Sequence, residues 1–138
     1  MSAEARLEAL AAAAADAVER LADQILATGA AVQVLAGPEA VSAPVRVPVP
    51  GAEDTTTVLG HVALTRCTVE VGGVRGDGVR AGYDPAGAVA AAICDAESER
   101  CGSLAARVDD LCRVSVRAQA ERARERAAVV HTTRMDQS

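Results

Sequence analysis

The hydrophobic pattern changes period twice along the chain and so divides it into helix, sheet and helix. From about Ala3 to Thr28 the larger apolar residues are Leu7, Leu10, Val18, Leu21 and Ile25, with Ala14 filling the gap. Steps of three and four line one face of a helix, and the charged residues fall on the others. This predicts one N-terminal helix within residues 1–29, with Gly29 as its C-cap.

The period then becomes two. Val32, Val34 and Ala36 share a parity, and Gly37-Pro38 is expected to end that strand. In Ala43–Pro50 the residues Pro44, Arg46, Pro48 and Pro50 share one parity, and Val45, Val47 and Val49 the other. Proline cannot donate to a ladder, so this predicts an edge strand with its valines inward. Gly51–Thr57 reads as a polar loop in which Glu53 and Asp54 are solvated. Val58–Val71 and Val74–Gly82 form a hairpin about the turn Gly72-Gly73. Pairing across it sets Val71 opposite Val74, Val69 opposite Gly76 and Cys67 opposite Gly78, a buried face whose glycines admit a close helix. Glu70 with Arg75, Thr68 with Asp77 and Arg66 with Val79 form the other face. Val62 and Leu64 are large on the opposite parity, which predicts a bulge near Thr65.

Asp84-Pro85 opens a helix, Asp84 as N-cap and Pro85 at the first helical position. Ala88, Val89, Ala92, Ile93 and Ala96 form its stripe, Gly102 stops it, and Ser103 is expected to cap a second helix through Leu104, Val108 and Leu111. From Arg113 to Arg126 the chain is polar, with Arg117, Arg122, Arg124 and Arg126 against Glu121 and Glu125, and reads as an exposed or partner-facing helix. A basic face for a phosphate-rich ligand is the sharper alternative. Residues 131–138 have no pattern and read as a tail. The order αββββαα predicts a single α+β two-layer domain over residues 1–138. A four-stranded antiparallel sheet (30–82) carries helices (1–29 and 84–130) on one face.

Composition sharpens this picture. The 138 residues include 32 alanines but no Trp, no Phe and one tyrosine, Tyr83, and none of the 14 basic residues is Lys. Aromatic side chains bury about 150–250 Å² each, and that contribution is missing. The core should be thin, with part of the apolar surface completed by a partner. A net charge of −5 argues against bulk nucleic-acid binding, and no base-stacking platform exists. No apolar run reaches the ~18 residues of a membrane span. Ala11–Ala15 lies between Glu8 and Asp16 and is no signal-peptide core. Four cysteines without a C-x-x-C pair then suggest a reducing, cytoplasmic setting.

No catalytic constellation stands out. The chain has no G-x-S-x-G, H-E-x-x-H or G-x-x-x-x-G-K-[ST] motif. Cys67 with His61 has no third group to position it. A zinc site from Cys67, Cys94, Cys101 and Cys112 with His61 and His131 is conceivable, but small buried thiols are the simpler reading. No catalytic residue, metal or cofactor is expected. Three charged positions stand as interface or anion-contacting candidates: Arg66 within Leu64-Thr65-Arg66, Asp84 after the last strand, and Arg134 within Thr133-Arg134-Met135-Asp136. Their plain structural alternatives are an Arg66–Asp77 pair across the strands, an Asp84 helix cap and a disordered Arg134.

Leu59–Ala96, LGHVALTRCTVEVGGVRGDGVRAGYDPAGAVAAAICDA, resembles the PhnG family, a subunit of the bacterial carbon–phosphorus lyase core complex. Thr65-Arg66 matches the family's T-R core and Val69 the valine after it. Gly82 and Asp84 match the ends of G-R-D, with Tyr83 in place of its Arg, and Asp95-Ala96 matches the end of the Ala-rich helix. Thr133-Arg134-Met135-Asp136 resembles the closing T-R-V-D, without the aromatic residues that follow it in relatives. Leu7 and Thr57/Val58 stand where many members have aromatics.

The resemblance implies an accessory, non-catalytic subunit working with PhnH-, PhnI- and PhnJ-like partners. Together they form α-D-ribose 1-methylphosphonate 5-triphosphate from ATP and methylphosphonate. Nucleic-acid and membrane partners are not expected. The alternative is a stand-alone homodimer that binds an anionic metabolite through Arg66, Arg80 and Arg134.

Overall fold

A computed structural model describes residues 1–136, without the side chains of residues 52–53 and 131–136. The elements run α1 (Ala3–Ala12), α2 (Ala15–Ala27), β1 (Val32–Val49), β2 (Ala52–Val71), β3 (Val74–Ala81), α3 (Pro85–Glu99) and α4 (Ala105–Asp136). The fold is α+β with an antiparallel sheet, but the sheet has three strands, ordered β1-β2-β3, rather than four. The two strands expected on either side of Gly37-Pro38 are one. Successive irregularities between Val34 and Glu39 absorb the extra residues without ending the pairing. Gly37 makes this possible. Its φ is +77°, and a Cβ there would meet the Arg66 carbonyl at 2.6 Å.

The N-terminal helix is also divided, because long-range partners take the carbonyls at its middle. The buried Arg80 donates from Nη1 to Leu10 O at 3.0 Å and Ala13 O at 2.6 Å. Ser115 Oγ donates to Ala9 O at 2.6 Å. These groups end α1, and Ala13 and Ala14 are non-helical. The phase therefore shifts. Leu10, Val18, Leu21 and Ile25 are buried as predicted, Leu7 is half-buried, Ala14 is exposed, and Arg6 joins the buried strip.

The hairpin register about Gly72-Gly73 is the one its sequence predicts, from Val71 opposite Val74 to Arg66 opposite Val79. Thr65, Cys67, Val69 and Val71 face the helices and are buried. α3 crosses this face so closely that a Cβ on Gly76 would overlap Ala92 O and Ala96 N. One on Gly78 would overlap Ala88 O and Ala92 N. The helix that can approach this far is one of small residues: Ala88, Ala90, Ala91, Ala92, Cys94 and Ala96 are all buried.

α3 ends on a left-handed residue, Cys101, with φ 55°, while Gly102 N donates to Glu97 O and Cys101 N to Ser98 O. Gly102 leaves room for the fully buried Glu97 carboxylate, which accepts from Leu104 N at 3.1 Å and Arg100 Nε at 2.5 Å. Glu97 thus does at the start of α4 what Ser103 was expected to do, and the helix begins at Ala105. α4 then continues through the segment expected to be a tail, to Asp136. Its 32 residues make it about 48 Å long. Ala120–Val130 are all exposed. No helix among the described residues is long and apolar enough to cross a membrane.

Candidate interaction surface

The motif residues that led to the family resemblance divide between the two faces of the sheet. On the helix side, the buried Thr65 Oγ1 donates to Gly82 O at 2.6 Å and accepts from Asp84 N at 2.9 Å. Asp84 caps α3 by accepting from Gly87 N at 3.0 Å, and also accepts from Arg80 Nε at 3.3 Å. Thr65, Gly82 and Asp84 therefore tie the strands to the start of α3, and Asp84 is held as a structural cap. Tyr83 between them points out, 82% exposed. Arg80, named in the metabolite-binding alternative, is committed to Asp84 and the α1 carbonyls.

Arg66 lies on the opposite, outer face, where its side chain is 61% exposed and pairs with Glu39 of β1 at 2.8 Å. The pair with Asp77 does not form; Thr68 Oγ1 donates to Asp77 Oδ1 instead, at 2.7 Å. Arg66 and Asp84 are thus held apart by the sheet. The Arg134 side chain lies outside the described residues.

The outer face around Arg66 holds a groove of about 320 Å³ lined by Leu7, Glu39, Arg66, Thr68, Asp77 and Val79 among others. Beyond it the two strands β1 and β2 continue as a ribbon, and here the apolar parity changes sides. Val32 and Val34 stand opposite Val71 and Val69 on the helix face. Farther out, Val41 stands opposite Leu64, Ala43 opposite Val62 and Val45 opposite Gly60, all on the outer face. No bulge forms at Thr65; Val62 and Leu64 are on the opposite parity because they serve the opposite face. The valines of the edge strand also point there rather than inward. They are half-buried by their neighbours, and Val62 is exposed. Pro44 and Pro48 alternate with them on β1, which among the described residues has no partner strand on its far side. Edge pairing is blocked at those residues while the apolar face stays open.

Residue types alone did not point to the buried charges. Arg6 donates from Nε to Asp95 Oδ1 at 2.6 Å and from Nη2 to Glu99, while Asp95 Oδ2 accepts from Asp77 N at 2.9 Å. Burial opposes the Arg6 charge, but the hydrogen bonds and charges of Asp95 and Glu99 outweigh it and raise its pKa. The only signal in the sequence was the Asp95-Ala96 match. Among the described residues no buried side-chain nitrogen or oxygen lacks a partner. These charges hold the fold together.

The cysteines are free, with Cys67, Cys94 and Cys112 buried and Cys101 exposed. Among the described residues no three His, Cys, Asp or Glu side chains are grouped to hold a metal. Burial, reinforced by the neighbouring Cys112, Glu97 and Asp95, pushes the Cys94 thiol up to about 12. Burial and Asp109 lead Cys112 up to about 11, and burial raises Cys67. The thiolate is the reactive form. Labelling of the native protein with a chromogenic disulfide at neutral pH should therefore show one fast thiol, abolished by Cys101→Ser. The other three should react only on unfolding. Several fast thiols would contradict the burial of these side chains.

A family model described as "Phosphonate metabolism protein PhnG" matches residues 2–138. No individual curated protein matches the chain.

Proposed function

Because the chain belongs to the PhnG family of phosphonate metabolism proteins, we propose that it is an accessory subunit of a carbon–phosphorus lyase core complex. It acts there with PhnH-, PhnI- and PhnJ-like partners. In this reading the assembly is a cytoplasmic transferase that forms α-D-ribose 1-methylphosphonate 5-triphosphate from ATP and methylphosphonate. This chain contributes surface rather than reacting groups.

The observation that carries the reading is the change of apolar parity on two paired strands. Along the ribbon beyond the Arg66 groove, both β1 and β2 turn their apolar residues to the outer face, where Val62 stays exposed. A sheet face patterned in this way is patterned for a covering layer. Arg66 sits beside the stripe, the one residue of the T-R and G-x-D matches with no inward task, and is the side chain placed to meet a partner or its anionic substrate. The metabolite-binding alternative has lost Arg80 to the interior.

Co-expression with the neighbouring subunits tests this. The chain should co-purify with a PhnI-like partner. Val62→Asp should weaken that association at least about tenfold, as expected when a charge enters an apolar contact, and leave the far-ultraviolet spectrum unchanged. A chain that ignores every such partner, or a Val62→Asp variant that assembles normally, would overturn the reading.

A further inference from the structure

A second uncovered surface lies between α2 and α3, away from the sheet's outer face. It is a groove of about 480 Å³ with a floor of Ala22, Val89, Ala90 and Ile93, and Leu26 at its lip. Its rim carries Glu19 and Asp23, one turn apart on α2. Asp23 is exposed and Glu19 half-buried. Neither forms an ion pair or side-chain hydrogen bond with another described residue. Two like charges stacked at this spacing repel each other along a helix.

The distal half of α4 presents the converse. Arg122, Arg126 and Val130 follow one another at steps of four along an exposed strip. Neither arginine has an ion-pair partner among the described residues. The like charges on this strip are again one turn apart, so the two pairs have the same spacing of about 5–6 Å and opposite sign. Residues 117–130 hold four arginines and two glutamates, in a chain whose net charge is −5.

α4 cannot reach this groove in its own copy. It passes α2 on the other side, where Arg107 Nη1 donates to Gln24 Oε1 at 2.8 Å. It then runs beside Ala12–Ala17 and beyond.

We propose that the distal half of α4 from a second copy of this chain occupies the α2–α3 groove. Arg122 and Arg126 lie against Glu19 and Asp23, and Val130 lies over the apolar floor. A two-fold arrangement forms this contact twice, since each copy carries both the groove and the helix. It is helix-in-groove recognition in which the charge pairs set the register. The proposal does not depend on the partner subunits, so dimerisation and co-purification can fail separately.

Sedimentation velocity on the full chain should show a dimer at about 100 μM that dissociates as salt is raised. Asp23→Arg alone and Arg126→Glu alone should each weaken association at least about tenfold. The chain carrying both reversals should recover most of it, because the pair is re-formed with its signs exchanged. A monomer at that concentration overturns the proposal. So does a dimer indifferent to both single reversals, which would place the contact elsewhere. Failure of the double reversal to recover association would show that the two positions do not meet, and would likewise overturn it.

Discussion

Replacing Gly78 with alanine is expected to destabilise the protein by about 3 kcal/mol, the upper end of what overpacking a core costs, with Gly76→Ala close behind. The new methyl would overlap Ala88 O and Ala92 N, and at Gly76 it would overlap Ala92 O and Ala96 N. These are main-chain atoms in the middle of α3, so no side-chain rotation can relieve the overlap. The helix must move off the sheet, and in moving it loosens Val69, Val71 and Ile93 together. Urea unfolding followed by far-ultraviolet circular dichroism reads this as a lower midpoint with an unchanged slope. The glycines of the turn give the control. Nothing lies within 4 Å of a Cβ built on Gly73, so any loss there comes from its φ of +84° and not from packing. Parent-like stability in both Gly76→Ala and Gly78→Ala would mean that α3 does not contact the sheet backbone.

Arg6→Met should cost about 3–5 kcal/mol, the range for leaving one member of a buried ion pair without its partner. The Arg6 and Asp95 side chains are 8% and 10% exposed, so water can do little to replace the lost charge. Asp95 cannot turn away, because its other oxygen accepts from Asp77 N. Adding Asp95→Asn should recover part of the loss. The amide is neutral, and its oxygen can still accept from Asp77 N. A double-mutant cycle should therefore return a coupling of about 1–3 kcal/mol. Strict additivity of the two changes would show that Arg6 and Asp95 act independently and that the charged link from α1 to α3 runs through Glu99 instead.

Features governed by neighbours in sequence were legible in the residues. The Gly72-Gly73 turn fixes the β2–β3 register, and Asp84-Pro85 opens α3 by local chemistry. What was not legible depends on groups far along the chain. The division after Ala12 is made by Arg80 and Ser115, which lie 67 and 106 residues from the carbonyls they take. The continuity of β1 through Gly37-Pro38 depends on β2 running alongside to hold the pairing. The parity of Val62 and Leu64 was visible, and it fits either a bulge or a change of face. Only the pairing with Val41 and Ala43 decides between them. Of the three candidate residues, Asp84 was readable as a cap. For Arg66 the alternation put Asp77 on the same face, but Glu39 comes within reach only once β1 runs past its expected end.

The exposed Tyr83 has a practical consequence. It is the chain's only aromatic residue and lies at the surface beside the α3 cap, so intrinsic fluorescence is silent about the interior. Unfolding will barely change its emission, and an experimenter relying on that signal would conclude that the protein never folds or never melts. The same isolation makes it a clean optical reporter. Any quenching or shift of that single fluorophore under native conditions registers an event at the Gly82–Asp84 turn and nowhere else in the molecule.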